Sequence, residues 1–221
     1  PSENIIYFGD IARVPYGSKT PEEMLKIVKE IISWMSGYHI KALVMACNTS
    51  SAIALDIVKN DYTLPMFGLI KPTAFYINSL NVKKIGVIAT QATIKSSAYA
   101  KEIQHLNPEM EVFQNACPGL VEIIEMGKLS SKDTYNAVEG FIQPLLEKNV
   151  EKIILGCTHY PYIGHIIEEI SGNKNILVNP AIPLITHVKE YFQTYHLQEK
   201  TSQEGQKDFY ELANKLLPEK N

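Results

Sequence analysis

Cysteine is scarce in this chain, with three residues in 221, at positions 47, 117 and 157. So small and odd a number builds no disulfide framework, which points to a reducing compartment and makes the cytoplasm the default location. No C-x-x-C pair occurs, so the usual chelating unit of a zinc site and the usual dithiol redox motif are both missing. Charge of one sign is lacking as well: the net charge is −3, which gives no electrostatic reason to bind nucleic acid or an anionic membrane. No run approaches the ~18 consecutive apolar residues of a membrane helix, and no signal peptide or low-complexity linker is read. What remains is 45% hydrophobic and 20% charged. That is an ordinary globular composition with room for a sizeable core, in one large domain or two small ones.

The apolar pattern alternates between short runs and helical periods. "NIIYFGD" (4–10) reads as a strand, followed by an irregular loop punctuated by Pro15 and Gly17. Next comes the clearest helix. Thr20 caps it, Pro21 fits its first turn, and Glu23 completes a T-x-x-E capping box. Met24, Leu25, Val28, Ile31, Ile32 and Met35 recur at helical spacing, and Gly37 closes the segment. Further strands are expected at 40–46, 66–70, 84–89, 110–115, 151–156 and 175–178. Further helices are expected at 50–59, 93–105, 119–126, 131–147, 162–171 and 181–193, with "DFYELANKLL" as a closing helix. Strands alternating with helices predict an α/β fold with parallel sheets wrapped by helices.

Two strands end on a thiol. "ALVMACNTS" runs into Cys47 and "KIILGCTHY" into Cys157. In both, apolar residues lead to a small residue, the cysteine and then polar side chains: Asn48 and Thr49 after one, Thr158 and His159 after the other. Ligands of open α/β sheets collect beyond the carboxyl ends of strands. A thiol placed there before a helix is expected to have its pKa lowered from about 8.5 towards neutrality. A lone buried cysteine more often simply packs, which is the reading for Cys117. The echo between the other two suggests two halves of similar fold whose tips converge on a cleft.

Several chemistries use thiols. Cys47, Cys117, Cys157 and His159 could be assembled into a metal site, but the spacing argues against it. A Cys–His hydrolase would leave Cys47 without a role, and dithiol redox chemistry would lack its usual motif. A racemase must remove a proton from one face of a carbon and return one to the other, between substrates of equal energy. Two equivalent acid/base groups on pseudo-symmetric loops suit that task, and a thiol titrates near working pH. Racemisation is the preferred reading.

The segments "YFGDIARVPYGSK", "MACNTSSA", "IGVIATQATIKSSAY", "ACPGLVEIIEMG" and "LGCTHYPYI" together resemble the successive signatures of the bacterial glutamate racemase family, and the tail "TSQEGQKDFYELANKLL" is similar to its closing segment. The resemblance implies a cofactor-independent enzyme that makes D-glutamate for peptidoglycan, with Cys47 and Cys157 as proton donors and acceptors. It puts Tyr16, Gly17, Asn48, Thr49, Thr158 and His159 on substrate-binding positions. It also makes His159 and Glu125 auxiliary groups of Cys157, and Asp10 an acidic group at the edge of the cleft. Neither metal nor cofactor is implied. Family members are often dimers, so a homodimer is the implied assembly. The implied fold has two pseudo-symmetric domains, 1–70 with 181–221 and 71–180, around an interdomain active site.

Without the family match, Asp10 reads equally as a turn cap, Glu125 as an exposed helix residue and Tyr16 as a packing residue. His39 and His105 are expected to face solvent. Family members open with a strand and an Asp-Ser-Gly motif ahead of "YFGD", whereas this chain starts at Pro1. A protein lacking that strand is expected to have a weakened first domain and little activity. Lys71 stands where an acidic residue is common, and "NPAIPL" replaces a more usual small polar run. Two alternatives therefore stay open: a racemase of aspartate or another amino acid, and an inactive glutamate-binding protein of the same fold.

Overall fold

Residues 2–201 and 203–212 are described in the computed structural model. Among the described residues, eight strands and ten α-helices follow one another as β1 (Ile5–Gly9), α1 (Pro21–Met35), β2 (Leu43–Met45), α2 (Asn48–Ile53), α3 (Leu55–Val58), β3 (Met66–Gly68), α4 (Ile70–Ser79), β4 (Lys84–Ala89), α5 (Gln91–Ser96), α6 (Ala98–Leu106), β5 (Glu111–Ala116), α7 (Leu120–Glu125), α8 (Lys132–Leu146), β6 (Lys152–Gly156), α9 (Gly164–Ser171), β7 (Leu177–Val178), α10 (Ala181–Thr194) and β8 (Lys207–Glu211). Every strand pairing among the described residues is parallel.

The largest sheet has the order β5-β4-β6-β7. Its central strands are continuous apolar runs because both faces are covered. Ile88, Ile153 and Leu155 pack with Leu120, Val138 and Ile142 of α7 and α8. On the other face, Ile85, Val87 and Ile154 meet Ala74, Ile77, Tyr99 and Ile103 of α4 and α6. Each fully buried aliphatic side chain contributes about 1.5–3 kcal/mol by leaving water.

The remaining strands form two pairs, β1 with β8 and β2 with β3. Helix α1 serves both. Its Met24, Val28 and Ile32 pack with Leu43 and Met45 of β2. Further along, Trp34 stacks on Phe8 and Tyr210 of the β1–β8 pair, ring centroids 5.0 Å apart in each case. The capping box forms as the sequence predicts: the Glu23 backbone N–H donates to the Thr20 hydroxyl, and the Thr20 N–H donates to the Glu23 carboxylate at 2.8 Å. Helix α10 covers Phe67 and Leu69 with Leu184 and Phe192.

Several expected elements change. The closing segment does not begin as a helix, because Lys207–Glu211 form β8 beside β1; the expected helical residues 213–217 lie outside the described residues. Alternation decides the matter locally: Tyr210 faces the aromatic cluster while Phe209 faces outward. Helix α4 arises where no element is read from the sequence. The single helix expected over 93–105 is broken at Ser97, whose φ of 54° is left-handed. The helix expected over 50–59 is split at Ala54. No helix among the described residues is long and apolar enough to cross a membrane.

Candidate active site

Cys157 follows β6 directly. Gly156 is required there by close approach of the neighbouring strand, since a Cβ would meet Ala89 Cβ and the Ile88 carbonyl oxygen at 2.8 Å. The chain then turns through a short 3-10 segment, Tyr160–Ile163, before α9. The helix expected over 162–171 forms as α9, but the expected lowering of the thiol's pKa is reversed. Burial pushes the Cys157 thiol up to about 12. The nearby Cys47 adds to the rise, while backbone N–H groups of His159 and Thr158 oppose it. A thiol in a poorly solvated site keeps its proton.

His159 lies beside this thiol, with Nδ1 3.6 Å from Cys157 Sγ. Its Nε2 is 2.6 Å from Glu125 Oε1 at the end of α7. A carboxylate on Nε2 fixes the N–H there and turns the Nδ1 lone pair towards the sulfur. Three residues predicted as a group, Cys157, His159 and Glu125, thus form one chain of contacts. Thr158 is exposed, and among the described residues its side chain has no hydrogen bond.

Cys47 is half-buried between β2 and α2. Ser50 and Ser51 hold its backbone, their hydroxyls donating to the carbonyl oxygens of Cys47 at 3.1 Å and Met45 at 3.0 Å. Asp10 lies just beyond β1 with its side chain only 3% exposed. It is no mere turn cap, since its carboxylate accepts from Arg13 Nε at 2.6 Å and from the Tyr16 hydroxyl at 2.5 Å. Burial, the bond to Asp10 and the proximity of Cys47 keep the Tyr16 phenol protonated. Gly17 docks on the start of α5, with Thr90 Cβ only 2.6 Å from where its own Cβ would stand.

The polar residues after Cys47 are buried and tied to α5 and α6. Thr49, Thr90 and Thr93 form a triangle of hydroxyls with sides of 2.9, 3.1 and 3.0 Å. Tyr99, 1% exposed, donates its hydroxyl hydrogen to Asn48 Oδ1 at 2.5 Å. Burial raises its pKa, so the phenol is a donor at neutral pH. Arg13, Thr90, Thr93 and Tyr99 are the residues that the sequence reading misses. Their signal was the segments "YFGDIARVPYGSK" for Arg13 and "ATQATIKSSAY" for the other three, taken whole rather than residue by residue.

Cys117, at the end of β5, is buried, and burial pushes its thiol up to about 12; it packs, as the sequence suggests. His39 and His105 are exposed. Lys71 forms an ion pair with Asp56 at 3.3 Å. Among the described residues, no group of three or more His, Cys, Asp and Glu side chains is placed to hold a metal ion.

Residues 1–189 match the family model described as Asp/Glu/Hydantoin racemase. The chain belongs to this family. It is similar to the glutamate racemase of Picosynechococcus sp., 46% identical over 181 residues that make up 82% of this chain and 64% of that protein. It is also similar to the glutamate racemase of Trichodesmium erythraeum, 41% identical over 90% of this chain and 73% of that one. The crystal structure of the Francisella tularensis glutamate racemase in complex with D-glutamate superposes with a TM-score of 0.88 at 36% identity, covering 96% of this chain and 79% of that one. The chain thus spans somewhat less than two thirds of the first of these relatives. The α/β fold and the racemase resemblance expected from the sequence hold.

Proposed function

We propose that this protein interconverts L- and D-glutamate by two-thiol proton transfer, supplying D-glutamate for peptidoglycan in the cytoplasm. The observation that carries the reading is a pair of thiols at the ends of strands in separate sheets, close enough for Cys47 to bear on the titration of Cys157. Each has its own polar support: His159 and Glu125 for Cys157, Tyr16 and Asp10 near Cys47.

In one direction Cys47, as thiolate, removes the proton from the substrate α-carbon; a C–H bond breaks and an S–H bond forms. Cys157 then gives its proton to the opposite face, so an S–H bond breaks and a C–H bond forms. In the other direction the two sulfurs exchange roles. His159 accepts or returns a proton at Cys157, with Glu125 orienting its ring. Tyr16, Gly17, Asn48, Thr49 and Thr158 clamp the charged ends of the substrate and hold the reacting carbon between the sulfurs. Two halves, 1–70 with 181–221 and 71–180, close around the substrate and exclude water. The active protein is a homodimer.

The test is deuterium uptake at the α-carbon of glutamate in heavy water, together with loss of optical activity. Cys47→Ser and Cys157→Ser should each lower turnover by about 10²–10⁴-fold, and normal turnover in either variant would sink the two-thiol mechanism. Faster turnover of aspartate than of glutamate would favour the neighbouring substrate class. Calorimetric binding of glutamate without exchange would mark an inactive binding protein.

A further inference from the structure

An asparagine amide has two chemically opposite ends, and for a substrate carrying carboxylates only the NH2 end can donate. Which end of Asn48 is free therefore matters, since Asn48 is the first residue of α2, next to Cys47. The structure commits the other end. Tyr99, inside the core, spends its only donor on Asn48 Oδ1 at 2.5 Å. It reaches that position because the left-handed Ser97 separates α5 from α6. The Ser96 hydroxyl supports the same break, donating to the Thr93 carbonyl oxygen at 2.6 Å and accepting the Ala98 N–H at 3.2 Å.

We propose that Tyr99 is a positioning residue for glutamate: by holding Asn48 Oδ1 it turns the Asn48 Nδ2 hydrogens away from α6, to receive a substrate carboxylate. The inference rests on the racemase reading above and adds to it a specificity-determining contact that crosses from α6 to the Cys47 loop. Without the phenol hydroxyl, the amide can turn over and present an acceptor to the carboxylate.

The experiment is a double-mutant cycle on the full chain with Tyr99→Phe, Asn48→Ala and their combination. It reads KM and kcat for racemisation, Kd for D-glutamate by calorimetry, and Tm. Tyr99→Phe should raise KM and Kd roughly tenfold, the scale of one hydrogen bond to a charged group, with kcat little changed. In the Asn48→Ala background it should add nothing. Asn48→Asp, which keeps an acceptor for Tyr99 but loses the donor, should weaken glutamate binding by at least as much. Additive effects of Tyr99→Phe and Asn48→Ala overturn the proposal. So does a fall in Tm with KM and Kd unchanged, or Asn48→Asp binding like wild type. A wild-type chain that neither binds nor racemises glutamate refutes the racemase reading itself, and this inference falls with it.

Discussion

Raising the pH from about 8 to about 10 should remove roughly 1 kcal/mol of stability through each of two buried thiols. Loss of solvation lifts Cys117 and Cys157 from 9.0 to about 12. In the unfolded chain each thiol releases its proton near pH 9.0, whereas in the fold each retains it. Over that window the native state binds more protons than the unfolded state, so the unfolding free energy falls as pH rises. The full slope is about 1.4 kcal/mol per pH unit for each thiol, and by about pH 10 only one unit of the window has been crossed. Below about pH 8 the contribution is fully present. Urea unfolding at the two pH values, on wild type and Cys117→Ala, isolates the effect of one thiol. The cavity left by the truncation acts at both pH values and cancels in the difference. The variant should therefore lose about 1 kcal/mol less than wild type on going to the higher pH. Parallel pH dependences for the two proteins would refute the argument, because they would mean that Cys117 titrates in the fold as it does in the unfolded chain.

Gly17→Ala places a methyl group 2.6 Å from Thr90 Cβ. The docking of this turn on α5 must then give way, at about 1–3 kcal/mol. A lowered Tm together with a raised KM for glutamate is the expected result, and an unchanged Tm would contradict the packing. Glu125→Gln removes the carboxylate charge that holds His159 at 2.6 Å and should slow racemisation by about tenfold or more. Because the two substrates are mirror images of equal energy, kcat/KM measured by circular dichroism must fall by the same factor from either side. An undiminished rate would remove His159 and Glu125 from the mechanism.

What the sequence could reveal depended on the range of the forces involved. The capping box of α1 is written within four residues, and it formed. The strands running into Cys47 and Cys157 were legible as apolar runs, although only the one before Cys157 is covered on both faces; before Cys47, Val44 is exposed between buried Leu43 and Met45. Longer-range competition was not legible. Lys207–Glu211 has helix-compatible spacing, yet pairing with Ile5–Gly9 at the other end of the chain makes it a strand, a tertiary choice that overrides local preference. The break at Ser97 was marked only by the Ser96-Ser97 pair, which was read as part of one helix, although it determines where Thr93 and Tyr99 end up. The reversed pKa shift at Cys157 has the same origin. A strand end before a helix suggests a stabilised thiolate, but only the surrounding Tyr160, Ile163 and Leu155 decide how dry the site is.

That dryness explains why the two thiols are supported so differently for a reaction whose two directions are equivalent. Under the proposed mechanism, each turnover from one enantiomer leaves Cys157 as thiolate and Cys47 as thiol. Burial makes this the less stable arrangement, since Cys157 strongly holds its proton while Cys47 sits half-buried at its loop. An unaided enzyme would be slow to reach it and quick to leave it. An imidazole 3.6 Å from the Cys157 sulfur, oriented by a carboxylate, is placed to take up the thiol proton at Nδ1, and once protonated it donates to the thiolate and so lowers that cost. Cys47, in contact with more water, needs less help, and its neighbours Tyr16 and Asp10 are arranged around a protonated phenol instead. The support from His159 and Glu125 thus offsets the burial of Cys157, as the proposed reaction between mirror images requires.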